Sequence, residues 1–282
     1  MGTTAAPSPR GNNRRSPTLE AIAAGSGGYS LESSETAVVA SRGRRDRPDL
    51  ARRLTAEAVG TGLLVAIVVG SGIAAQRLSP GDAGLQLVAS AAATGAGLAA
   101  LILAFGAVSG AHFNPVVTLA DRVLGGLPTS DAVAYVGAQV AGGCLGAILA
   151  NLMFELDAVT LATTERSSGG LWLGEVVATF GLVTVILGVV RSGRVALTAF
   201  AVGAYIAAAY WFTSSTGFAN PAVTVGRTLT DTFAGIAPGS APAFLAAQLT
   251  GGAAAVALAR YLHLHPTSDT RHPCPNPDDE GS

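Results

Sequence analysis

Lysine is absent from this chain of 282 residues: all 17 basic residues are arginine. Charged residues of both signs make up only 12%, against 49% hydrophobic, and the mean hydropathy is +0.46. So few charges exclude an ordinary soluble domain, in which about a quarter of the residues are charged. A net charge of -1 offers no basic surface to a nucleic acid. Cysteine occurs twice, as Cys144 in an apolar segment and Cys274 in a polar one. That spacing excludes a disulfide framework and a cysteine-based metal site, and Cys144 reads as a small packing residue. No metal or cofactor is expected. The first 50 residues lack the apolar core of a signal peptide. Ser/His, Asp/Asp and His/Glu constellations are missing from the apolar segments, which argues against an enzyme. Absent lysine beside abundant Ala, Gly and Arg suits a GC-rich bacterial genome, and hence a plasma membrane.

Long apolar runs are what the chain has. They cover about 54–75, 84–108, 132–154, 171–190, 195–213 and 241–262. Each approaches the ~20 residues a helix needs to cross the hydrocarbon layer. Runs this long and continuous predict helices, because lipid leaves no partner for backbone amides. Residues 1–50 and 264–282, rich in small, polar and proline residues, are expected to be disordered tails. The arginines at 42, 44, 45, 47, 52 and 53 precede the first run. With Arg122, Arg191, Arg194 and Arg260 they place both termini in the cytoplasm, and the run itself touches anionic lipid. Trp172 and Trp211 fall at span ends, where an interfacial belt lies. His263, His265 and His272 read as solvated residues with no metal role.

The chain repeats itself. Ser109-Gly110-Ala111-His112-Phe113-Asn114-Pro115-Val116-Val117-Thr118 matches Ser215-Thr216-Gly217-Phe218-Ala219-Asn220-Pro221-Ala222-Val223-Thr224. Gln139 and Gln248 sit in matching third spans, each followed by Gly-Gly three residues on, and read as interhelical hydrogen-bonding residues. Glu57 and Glu175 open the matching first spans. Three spans per half force the second half to insert upside down. Such inverted repeats place a pathway at their interface. The predicted units are repeat 1 over about 51–154 and repeat 2 over about 168–263, together one domain over 51–263.

Asparagine is a good N-cap and proline fits a first helical turn, so each Asn-Pro reads as loop, cap and short helix. Each piece runs roughly 9 residues, about 13 Å, and cannot span alone. Two entering from opposite faces and meeting head to head would nearly cross the membrane. Each helix N-terminus carries about +0.5 charge. Two such ends ~5 Å from a monovalent cation oppose it by about 3 kcal/mol at an effective dielectric of 20. Neutral solutes escape that cost. The amides of Asn114 and Asn220 can donate to a passing oxygen. The stretches 110–113 (Gly110, Ala111, His112, Phe113) and 216–219, with Ala219, can turn carbonyls to a wet lumen. His112 reads as an architectural hydrogen-bonding residue rather than a pH gate. A coupled transporter would want more ionisable residues in the spans than the two glutamates.

These loops resemble the signature loops of the major intrinsic protein (aquaporin) family over residues ~52–262. The resemblance implies an all-α membrane protein of six transmembrane helices plus two re-entrant half-helices. It also implies a pore in each subunit of a homotetramer, and passive transport of water, glycerol or other small uncharged solutes. It assigns Asn114, Pro115, Val116, Asn220, Pro221 and Ala222 to the paired pore motifs. Glu57 and Glu175 are assigned to holding the re-entrant backbone. The chain departs from the pattern at Val116, where alanine is usual and where the side chain is expected to pack between the half-helices, and at Val223, where the family usually has arginine; Arg227, one helical turn later, is not expected to substitute in the same geometry. The loop before Asn220 is one residue shorter than in glycerol-channel relatives. By position the outer constriction falls on Thr94, Ala208 or Ala209, Gly217 or Phe218, and Val223. A filter of small and apolar members without that arginine implies a wide pore for polyols or neutral metalloid hydroxides such as arsenous acid. This is the pattern of a bacterial branch associated with arsenic detoxification. A water-dominated channel is the alternative.

Overall fold

The computed structural model describes residues 48–263, with Gly2 alone ahead of them. The expected tails lie outside the described residues except for Gly2 and positions 48–50, as do Arg42, Arg44, Arg45, Arg47, His265, His272 and Cys274. Eight α-helices follow: α1 Leu50–Leu78, α2 Ala83–Ser109, α3 Pro115–Val123, α4 Thr129–Met153, α5 Gly169–Arg191, α6 Thr198–Phe212, α7 Pro221–Gly226 and α8 Ala241–His263. A 3-10 turn, Val195–Leu197, leads into α6, and another, Arg227–Leu229, extends α7. No strand occurs among the described residues.

Local chemistry sets the helix starts. The carboxylates of Asp49 and Asp82 accept from the amides of Arg52 and Leu85, and the Ser168 hydroxyl accepts from Leu171. Each thereby satisfies one amide that a first turn leaves free. Among the described residues six helices are long and apolar enough to cross a membrane, α6 counted with its leading 3-10 turn. α3 and α7 are too short to cross, and they are the pieces that start at the two Asn-Pro pairs.

The repeat is visible in the packing. α1 lies along α4 as α5 lies along α8, and α2 crosses α6 at the centre. Small residues permit this closeness. A Cβ on Gly142 would come within 2.1 Å of the Ala58 carbonyl oxygen, and one on Gly251 within 2.3 Å of the Val176 oxygen. These are matching positions of the two halves. Where α2 meets α6, a Cβ on Gly203 would lie 2.5 Å from the Gly95 oxygen. Helix backbones in contact leave no room for repair by rotamer change.

Gly142→Ala and Gly251→Ala should each lower thermal stability in detergent, by roughly 1–3 kcal/mol of overpacking. Gly137→Ala, on the same helix as Gly142 with nothing within 4 Å of its added carbon, should be neutral. Equal melting temperatures for Gly142→Ala and Gly137→Ala would refute this account of the packing.

Candidate functional site

α3 and α7 meet at their N-termini. Asn114 caps α3 through Oδ1, which accepts from Val116 N at 2.9 Å, and Asn220 caps α7 through Oδ1, which accepts from Ala222 N at 3.0 Å. Their amide nitrogens cross over. Asn114 Nδ2 donates to the Ala219 carbonyl at 2.8 Å, and Asn220 Nδ2 donates to the Phe113 carbonyl at 2.7 Å. Each asparagine thus ties its own half-helix to the loop of the other half. Each amide nitrogen carries a second hydrogen, and both asparagines line the cavity described below.

The loops before these caps are strained. Ala111, Phe113, Thr216 and Ala219 take positive φ of 50°, 49°, 64° and 48°. A left-handed conformation costs a non-glycine residue about 1–2 kcal/mol. Two buried carboxylates offset the cost. Glu57 accepts from Ser109 Oγ at 2.6 Å, His112 N at 3.0 Å, Phe113 N at 2.7 Å and Gln139 Nε2 at 2.8 Å. Glu175 accepts from Phe218 N and Ala219 N, both at 2.9 Å, and from Gln248 Nε2 at 2.6 Å. Hydrogen bonds to a charged group contribute roughly 1.5–3 kcal/mol each. Gln139 also donates to Thr118 Oγ1 at 2.9 Å and Gln248 to Thr224 Oγ1 at 2.8 Å, so each glutamine bridges a carboxylate and a half-helix. The gripped amides are the two immediately before each asparagine, so the two loops share one register and neither is a residue short relative to the other. His112 Nδ1 lies 3.1 Å from Thr118 Oγ1, and its ring packs on Tyr135 at 5.6 Å.

A cavity of about 400 Å³ runs past both asparagines. Matching residues wall it: Leu64 and Val68 of α1 opposite Leu182 and Ile186 of α5, with Thr94 and Leu98 of α2 facing Val202 and Ile206 of α6. The spanning helices supply mostly hydrocarbon, with Thr94, Thr198 and Tyr210 as their polar members; the loops and half-helices add the two asparagines, His112 and apolar side chains. Among the described residues no cluster of three or more metal-ligating side chains occurs.

A profile of the major intrinsic proteins matches residues 45–197. The chain belongs to that family. It is 53% identical over 214 residues to the aquaglyceroporin AqpS of Rhizobium meliloti, covering 76% of this chain and 91% of that one. It is 30% identical over 241 residues to the probable aquaporin AqpM of Archaeoglobus fulgidus, covering 76% and 97%. The solved aquaglyceroporin of Plasmodium falciparum superposes with a TM-score of 0.59 at 21% identity, over 74% of this chain and 95% of that one, a likeness of fold. This major intrinsic protein is therefore a multi-pass membrane channel for small neutral solutes.

The channel's cavity differs from the sequence expectation at one end. Thr94, Gly217, Phe218 and Val223 line it, but Ala208 and Ala209 do not. Ala208 faces outward, and Ala209 is buried with its Cβ 2.7 Å from where a Gly217 Cβ would stand. Helix α6 turns Tyr210 inward instead, its hydroxyl 3.1 Å from Thr94 Oγ1. Sequence reasoning missed Tyr210 because α6 is apolar all round and carries no phase. The spacing Val202, Ile206, Tyr210 along one face was the signal available.

Arg227 is the larger correction. One turn after Val223 seemed too far to act in its place, yet Arg227 lines the cavity. α7 gives way to a 3-10 turn at this residue, and the Arg227 Nε donates to the Ala234 carbonyl. The guanidinium carbon lies 3.4 Å from the Phe218 ring centroid, and only 4% of the residue is exposed. Val116 is also explained. It packs on α8, where a Cβ on Gly252 would come within 2.2 Å of Val116 Cγ1. The larger side chain is matched by a glycine opposite, rather than held between the half-helices.

Glu175→Gln should replace an acceptor by an amide facing the N–H groups of Phe218 and Ala219. Leaving one unmet costs about 1–3 kcal/mol. The melting temperature in detergent and solute flux in proteoliposomes should both fall. Glu165→Gln, on a connecting loop where the carboxylate accepts from Ser240 Oγ, should leave flux intact. Wild-type flux in Glu175→Gln would contradict the assigned role.

Proposed function

We propose that the chain is a homotetrameric plasma-membrane pore for polyols or neutral metalloid hydroxides, passing water as well and refusing ions and protons. Both termini lie in the cytoplasm, an orientation supported by the arginine distribution, while family membership supports the tetramer. The observation that carries the reading is the crossed pair of amides, Asn114 to Ala219 and Asn220 to Phe113, set in the wall of one cavity. A solute there meets two amide donors and two helix N-termini. Together the half-helix ends present roughly one positive charge, which opposes a cation and leaves a neutral molecule unaffected.

Solute size is set where Thr94, Tyr210, Phe218, Val223 and Arg227 line the cavity together. Hydroxyls and a guanidinium offer hydrogen bonds; Phe218 and Val223 offer hydrocarbon. A polyol has both kinds of surface, OH groups along one edge and CH groups along the other. Valine at 223 keeps the space beside the asparagine free of a charged side chain. A water-dominated pore is the second reading, favoured by the bulk that Tyr210, Phe218 and Arg227 bring to this end.

Stopped-flow light scattering on proteoliposomes decides between them. The proposal expects water efflux followed by protein-dependent re-swelling in glycerol, and accumulation of arsenous acid. Water permeation with rejection of both solutes would leave the water reading in its place.

A further inference from the structure

Beside the solute cavity, near Phe218, lies a second cavity of about 120 Å³ whose wall includes Ser90, Arg166, Tyr210, Thr216, Arg227 and Ala234. It shares Tyr210 and Arg227 with the solute cavity. Two guanidiniums therefore border one small space. Both rest on the Phe218 ring, Arg227 at 3.4 Å and Arg166 at 5.3 Å from its centroid. Arg166 is held by its backbone amide to Ser240 Oγ and by Nε to the Gly235 carbonyl, each at 3.0 Å, and Nη2 donates more weakly to the Phe233 carbonyl at 3.5 Å. Burial pushes its guanidinium below the ordinary arginine value, and the charge of Glu175 offsets part of this.

Among the described residues no carboxylate forms an ion pair with either guanidinium, and Glu175 acts on them only at a distance. Ion pairs among the described residues join Arg52 to Asp49 and Arg53 to Asp131, on other parts of the chain. Glu175 has both oxygens committed to Phe218, Ala219 and Gln248. Glu165 accepts from Ser240, and Asp231 accepts from Thr163. Arg227, 4% exposed, has one described hydrogen bond, from Nε, which leaves its two terminal nitrogens for the cavities. Buried charge without a counter-charge is costly, and water can satisfy N–H groups without removing the charge. The space holds only a few water-sized particles.

We propose that this side cavity binds one small monovalent inorganic anion of halide size, held between the guanidiniums of Arg166 and Arg227 with the Thr216 hydroxyl in the same wall. The anion keeps Arg227 against the wall and sets how far its guanidinium reaches into the solute path. The site requires no particular transported solute, so its test is separate from that of transport.

Bromide is the probe, on the full chain. Crystals grown with bromide should show anomalous density between Arg166 and Arg227. Replacing gluconate by bromide at constant ionic strength should raise the melting temperature saturably, by about 2–4 °C. Arg166→Gln should lose that shift and Arg166→Lys should keep part of it. If Arg166→Gln does not fold, the anomalous map of the unmodified chain decides. Three results would overturn the site: no density there while bromide is seen elsewhere, an undiminished shift in Arg166→Gln, or density without any saturable shift, meaning an adventitious ion only. Solute flux measured in the same buffers reports on the transport reading alone.

Discussion

A chain that enters a bilayer and turns back inside it exposes amide hydrogens where water is scarce and no helix or sheet can take them. Here that problem arises twice, before Asn114 and before Asn220, and it is solved twice by one device. A carboxylate on a neighbouring span, Glu57 or Glu175, accepts from the two backbone amides preceding the asparagine. Both carboxylates are fully buried. Their charge makes each bond strong enough to hold residues at positive φ, and that backbone twist is what turns Phe113 and Ala219 carbonyls toward the opposite asparagine. Remove the carboxylates and the loops lose what holds their twist, leaving the crossed asparagine bonds to keep the half-helices head to head.

From that junction the pathway follows. The half-helices occupy one side of the bundle interior and leave an opening against α1, α2, α5 and α6, whose facing residues are mostly hydrocarbon apart from Thr94, Thr198 and Tyr210. Polar atoms line one side and apolar atoms the other. Close backbone contact between α1 and α4, and between α5 and α8, fixes the distance from each glutamate to its loop. The two halves are not equal, however. Where one repeat has His112 and Tyr135, the other has Phe218 and Phe244. Among the described residues only the Phe218 ring carries two arginines, against Arg53 on Tyr135, so the symmetric scaffold carries an asymmetric charge.

Much of this was legible from the residues. The six spans, the short helices beginning at Pro115 and Pro221, and the pairing of Glu57 with Glu175 follow from apolar run length, helix capping and internal repetition. What was not legible has physical causes. The phase of α6 is silent because every face of it is apolar, so alanines at 208 and 209 seemed as good as Tyr210. Arg227 was misjudged because ideal helix geometry was extended past Gly226, where the backbone tightens to a 3-10 turn and the side chain swings back over Phe218. Val116 looked like an intruder until Gly252 was found opposite it. In each case the deciding partner was distant in sequence.

The central claim is that a head-to-head pair of capped half-helices passes neutral molecules while opposing charge. Proton flux driven by a membrane potential, read by a trapped pH dye in vesicles whose solute permeability is measured on the same batch, tests it most directly. The account predicts solute flux that rises with protein density while proton flux stays at the level of protein-free vesicles. Proton flux rising in step with solute flux would contradict it.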